Sequence, residues 1–166
     1  MEYVRTSTVT NEVIGMSQQV PAYVTLTGPQ PTVFIVTFSI AASAAAGSVV
    51  QGSISAFGAL MPATQSVNVP ITEVWSIVDF YTLATVTPDA QIQLFINGYP
   101  QNIYPTLNSV YINNYKKWTL NQAIKIPPAS TWSVNAVLLA NNGSSQQTYT
   151  LYISAVRAPF VATTSK

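Results

Sequence analysis

TWSVNAVLLANNGSSQQTYTLYISAV, residues 131–156, contains two runs in which every second residue is apolar, separated by a polar break. In the first run Trp132, Val134, Ala136 and Leu138 share one face; in the second, Tyr149, Leu151, Ile153 and Ala155 do. A period of two is the mark of a strand with one buried face. The break carries Asn142-Gly143, a tight-turn signal, so the stretch predicts a closing β-hairpin. None of its 26 residues is charged. Its water-facing positions are filled by Ser, Thr, Asn and Gln instead.

The same reading extends outward. VPAYVTLT (20–27) predicts a short strand, PTVFIVTFSIA (31–41) a long one, and VVQGSISAFGAL (49–60) a weakly alternating one bent at its glycines. TQSVNVP (64–70) is a further short strand. ITEVWSIVDFYTLATV (71–86) has apolar residues on both parities, which predicts a strand covered on both sides, at least in part. AQIQLFING (90–98) alternates cleanly into the turn pair Asn97-Gly98. SVYIN and KKWTLNQAIKIPP (116–128) give two more. That makes eight to ten strands of four to eleven residues, broken by Pro, Gly or Asn every 8–15 residues, with no amphipathic helix. Such a chain is an all-β sandwich or barrel. Long connections at 42–48, 60–65 and 99–109 disfavour an up-and-down barrel and favour a single jelly-roll β-sandwich of antiparallel strands. The expected organisation is an extended N-terminal arm (1–19), the jelly roll (20–158) and a C-terminal tail (159–166).

One stretch needs arbitration. TVFIVTFSIAASAAAGSVV (32–50) is 19 uncharged residues, long enough to span a membrane. Phe34, Val36, Phe38 and Ile40 alternate, however, and Ser, Thr and Gly interrupt the run, so a buried strand and a small-residue loop are expected. The N-terminus lacks the basic-then-apolar pattern of a secretory signal.

Composition narrows function mostly by exclusion. Only 7% of the 166 residues are charged, against about 25% in ordinary domains, and the net charge is +1. Beyond Lys116-Lys117 there is no basic patch, so no direct nucleic-acid binding is expected. There is no cysteine and no histidine, which removes thiol chemistry and the commonest general base. Glu73 and Asp79 lie six positions apart on one expected strand, roughly 20 Å at ~3.3 Å per residue, too far for a glycosidase pair. No nucleophile elbow occurs, and the acidic residues are too scattered for a metal. The expectation is a non-enzyme without cofactor or metal. With five carboxylates and no histidine, stability is also expected to vary little with acid pH.

Two local signals remain. Tyr99, Tyr104, Tyr111, Tyr115 and Trp118 are interleaved with Asn in NGYPQNIYPTLNSVYINNYKKW (97–118). These aromatics either form a protein-contact or glycan surface or simply cover one end of the sandwich. Asn142-Gly143-Ser144 fits the glycosylation pattern on an expected hairpin tip.

The scarcity of charge points to self-association, because charge is what keeps isolated domains apart and is depleted in interface cores. The long strand TVFIVTFSI, the Pro-terminated AIKIPP followed by STWSVNAVLLA, and the closing TYTLYISAV together resemble the single jelly-roll capsid proteins of icosahedral double-stranded DNA viruses of archaea and thermophilic bacteria. The resemblance spans about 85% of the chain, residues 20–157, and rests on pattern rather than on a diagnostic motif. It implies a virion coat subunit, assembled in the host cytoplasm into capsomers with copies of itself and other capsid proteins, often over an internal lipid membrane. Two rivals stand beside it: a pilus or thread subunit joined by donor-strand complementation through 1–19 or 20–27, and a sugar-binding jelly-roll module of a virion spike.

Overall fold

The computed structural model describes residues 26–56, 63–112 and 118–160. The expected arm, most of the 20–27 strand, Tyr115 and most of the tail lie outside the described residues. The rest is all-β. Ten strands follow in order: β1 (Gln30–Ile40), β2 (Val49–Gln51), β3 (Ser53–Ala56), β4 (Val67–Asn68), β5 (Glu73–Tyr81), β6 (Ala90–Ile96), β7 (Tyr99–Pro100), β8 (Trp118–Ile126), β9 (Thr131–Leu138) and β10 (Gln147–Pro159). They form two antiparallel sheets. The first has the order β3-β1-β10-β5-β8; the second runs β2-β9-β6-β7, with β4 also on β9.

The pairing is nested. β1 pairs β10, β2 pairs β9, β5 pairs β8 and β6 pairs β7, so early strands meet late ones and the middle of the chain meets itself. The connections that cross between sheets run side by side in the same manner. Residues 41–48 and 138–146 are joined by Ser43 N to Gly143 O (2.7 Å), Asn142 N to Ala44 O (2.7 Å) and Gly47 N to Leu138 O (2.8 Å). Val69 likewise exchanges bonds with Ser130 O and Ala129 N, and Thr82 with Val110 O and Ile112 N. The described chain is thus one long hairpin wound around a common core.

That core is what the alternation supplies. Phe34, Val36, Phe38 and Ile40 of β1, with Leu151 and Ile153 of β10, face Ile92 and Leu94 of β6 and Trp132, Val134, Ala136 and Leu138 of β9. Burying each large side chain contributes about 1.5–3 kcal/mol. At one end Phe34 stacks on Trp75 (5.2 Å between centroids) and meets Trp132 edge-on (5.0 Å).

Two expectations are corrected and one is refined. The 131–156 stretch is not a hairpin: β9 lies in the second sheet and β10 in the first, and residues 139–146 cross between them. The difference lies in the backbone, since Asn97 and Gly98 take the positive φ values (52° and 79°) of a two-residue hairpin turn while Asn142 and Gly143 do not. Strand β5 is apolar on both parities partly because of a bulge, and its second face is partly covered, with Val74, Val78 and Tyr81 half-buried. Against β10, Ile77 pairs with Ala155 and Asp79 with Ser154, leaving Val78 over, so Ile77 and Phe80 both reach the core. SVYIN forms no strand of its own among the described residues; Tyr111 makes a single bridge to Thr82. The 32–50 stretch is β1, a turn and β2, and among the described residues no helix is long and apolar enough to cross a membrane.

Candidate functional site

Segment 97–112 starts at the Asn97-Gly98 turn and then follows the edge of β6. Gln101 N bonds Leu94 O (2.8 Å), Ile92 N bonds Pro105 O (2.7 Å) and Leu107 N bonds Ala90 O (2.9 Å). It is an irregular edge strand that protects β6, and it plugs the core with the fully buried Leu107 and Val110. Tyr99 is 75% exposed and Tyr104 is 45% exposed, whereas Tyr111 is half-buried. Among the described residues no ring contact joins these three. Trp118 opens β8 opposite Phe80 in the first sheet, away from β7 in the second. Tyr115 lies outside the described residues, so only Tyr99, Tyr104, Tyr111 and the backbone position of Trp118 are placed by the structure.

Asn142 is buried, not on a tip. Its amide Nδ2 donates to Ala41 O (2.7 Å) and Ser145 O (3.1 Å), tying the 139–146 crossing to the end of β1. Asparagine serves as a brace elsewhere too. Asn97 Oδ1 accepts from Thr131 N (2.8 Å), and Asn108 exchanges two bonds with the Val86 backbone (2.8 and 2.9 Å). Asp89 Oδ1 accepts from Ala90 N and Asn108 N, holding the crossing after β5 against the 107–110 turn.

Among the described residues, every charge but that of Lys125 is buried or half-buried. Glu73 and Asp79 are 2% and 5% exposed. Glu73 accepts the Trp75 indole N–H (2.6 Å) and the Arg157 Nε and Nη2 hydrogens (2.9 Å each), while the Arg157 guanidinium lies 5.3 Å from the Trp75 ring centre. Among the described residues Lys125 is the only exposed charged side chain, and no three acidic side chains gather closely enough to hold a metal ion.

No protein-family model and no curated protein matches the chain.

The sandwich's most distinctive surfaces are therefore its outer sheet faces, which the sequence reading did not single out. On the first sheet the register sets Ser55, Ile35, Tyr152 and Tyr81 in one row, with Tyr81 and Tyr152 stacked at 5.0 Å. A second row carries Pro31, Val156, Ser76 and Lys125. On the second sheet Gln51, Asn135 and Gln93 form a row of amides beside Val49, Val137 and Gln91. The signal that could have found these faces is the second parity of each strand, once the pairing is known.

Among the described residues, Tyr149 has a clearly displaced titration. Burial raises its pKa above the ordinary 10.0, and the Asp89 carboxylate adds to the rise. Its hydroxyl is also buried without a hydrogen-bond partner. The unfolded chain ionises this phenol near pH 10 while the folded chain keeps it neutral, so its contribution is complete below that pH and is lost as pH climbs through the raised pKa. Tyr149→Phe is expected to leave stability at pH 7 within about 1 kcal/mol of wild type or higher, because it deletes an unpaired buried group. It should also lessen the stability lost between pH 7 and about pH 10.5. Urea unfolding at the two pH values checks both.

Proposed function

We propose that the chain is a structural, non-enzymatic subunit that assembles with copies of itself, as the coat protein of an icosahedral shell. The observation that carries this reading is the scarcity of charge on the exterior of the described residues: of the five charged residues among them, only Lys125 is exposed. The outer face of the first sheet alternates aliphatic and tyrosine side chains with hydroxyls. Faces of that kind lose little on desolvation and gain area when buried against a neighbour. The amide row of the second sheet donates and accepts at every residue, so it is complementary to another copy of itself. The nested strand pairing supports a single jelly roll as the building block, the fold expected from the resemblance to viral coat proteins.

Electron microscopy of the purified full-length chain tests the reading. Closed particles or ring-shaped capsomers are expected; filaments would favour the thread-subunit alternative. A freely tumbling monomer at high concentration overturns both. Ile35→Lys places a charge at the centre of the first sheet's outer face. It is expected to reduce assembly at least about tenfold, since burying an unpaired charge costs well over 1.4 kcal/mol, while the monomer's melting temperature changes little. Unchanged assembly in sedimentation would remove that face from the interface.

A further inference from the structure

The first sheet has a notch. Strand β10 pairs with β5 only from Tyr152 to Pro159, because β5 stops at Tyr81 and Thr82 turns away to bond Val110 and Ile112. The preceding residues of β10, 147–151, have β1 on one side and, among the described residues, no strand on the other. Segment 83–87 stands opposite them without a backbone hydrogen bond to them. Between the two lies a cleft of ≈ 570 Å³. Thr85 and Thr87 line one wall, Thr148, Tyr149, Thr150 and Tyr152 the other, and none of its lining residues is charged.

An unpaired stretch of strand edge aims every second N–H and C=O at the vacant side, at a spacing that another extended chain matches. The buried, unpartnered Tyr149 hydroxyl is a second unsatisfied group in the same wall. We propose that the notch takes an extended, uncharged segment from a second copy of this chain, which adds a strand to β10 along the line that β5 leaves vacant. About five residues fill it, roughly 17 Å at ~3.3 Å per residue. A charged segment would lose its hydration between threonine walls that offer no counter-charge. This chain, 7% charged, is rich in segments that avoid that cost. The inference rests on the self-assembly reading and names one of its contacts.

The chain has no cysteine, so a single introduced thiol is a unique handle. Full-length Thr148→Cys, labelled with a benzophenone maleimide, is mixed as ¹⁴N and ¹⁵N protein, allowed to assemble, irradiated and digested. Mass spectrometry is expected to find mixed-isotope peptide pairs at the introduced thiol. Thr150→Lys in the same background is expected to reduce them by about tenfold or more. Thr85→Cys repeats the experiment from the facing wall, should a label at 148 itself fill the cleft. Normal assemblies that give only same-chain crosslinks, or an adduct with a glycan or other non-protein molecule, from both positions overturn the notch while leaving self-assembly standing. Wild-type chain that never leaves the monomer overturns self-assembly, and the notch with it.

Discussion

Gly52→Val is expected to lower stability by about 3 kcal/mol or more and the melting temperature by about 10 °C. Gly52 is where the chain changes sheets. Its N–H still bonds Val134 O (2.8 Å) in the second sheet, and the next residue, Ser53, already pairs with Thr37 in the first. The crossing passes through the core, so a Cβ on residue 52 would sit 2.3 Å from Val36 Cγ1, 2.9 Å from Phe38 Cε1 and 3.1 Å from Val134 O. Val36 and Phe38 are fully buried and cannot swing aside into solvent. The backbone angle is not the reason, since Gly52 is not among the residues with positive φ. Two comparisons isolate the steric cause. Gly143→Ala, with open space around its position, is expected to be close to neutral. Adding Val36→Ala to Gly52→Ala is expected to recover part of the loss, because the two changes share one volume. Wild-type melting of Gly52→Val would show that the crossing does not run between the sheets as described.

Gly52 also marks the boundary of what sequence can disclose. Its glycine signalled a bend, but a bend within one sheet and a passage between two leave the same trace in the chain. The interior faces of β1, β6, β9 and β10 were legible because alternation is a local property. Pairing is not local. The 131–156 stretch has the alternation and the Asn-Gly of a hairpin, yet its two strands find partners more than 80 positions upstream, β2 for β9 and β1 for β10. The bulge at Val78 was hidden for a related reason. A one-residue slip mixes the parities, and a mixed strand reads as covered on both sides.

The candidate site divides along the same line. Scarcity of charge is a count and could be read directly; the burial of Glu73 and Asp79, which strips the exterior further, depends on the fold. The tyrosines of 97–118 drew attention by their density in sequence. Tyr81 and Tyr152, 71 positions apart, make the stacked pair on the outer face because β5 and β10 are neighbours. Asparagines that looked like surface decoration are largely spent on holding crossings together, a role set by which carbonyls come within reach. The notch beside β10 was invisible for the plainest reason, since it is a difference in length between two paired strands.

Arg157→Met is expected to cost more than Glu73→Gln, about 4 against about 2 kcal/mol. The two residues form one ion pair, but their surroundings differ. The Glu73 side chain is 3% exposed and that of Arg157 is 25% exposed. Without the arginine, a buried carboxylate keeps only the Trp75 indole N–H as a partner and cannot reach water. Without the glutamate charge, the guanidinium still has the Trp75 ring beside it and turns its outer nitrogens to solvent, and a glutamine oxygen goes on accepting the indole N–H. The pair sits where the end of β10 meets the start of β5, next to the Phe34, Trp75 and Trp132 cluster, so a loss there loosens the closing strand of the sandwich. The double variant Arg157→Met, Glu73→Gln removes the stranded charge and is expected to be more stable than Arg157→Met alone. Denaturant unfolding of the three variants decides the matter. Equal single effects, or a double variant equal to their sum, would mean that the carboxylate is hydrated in solution and that the ion pair does not fasten β10 to β5.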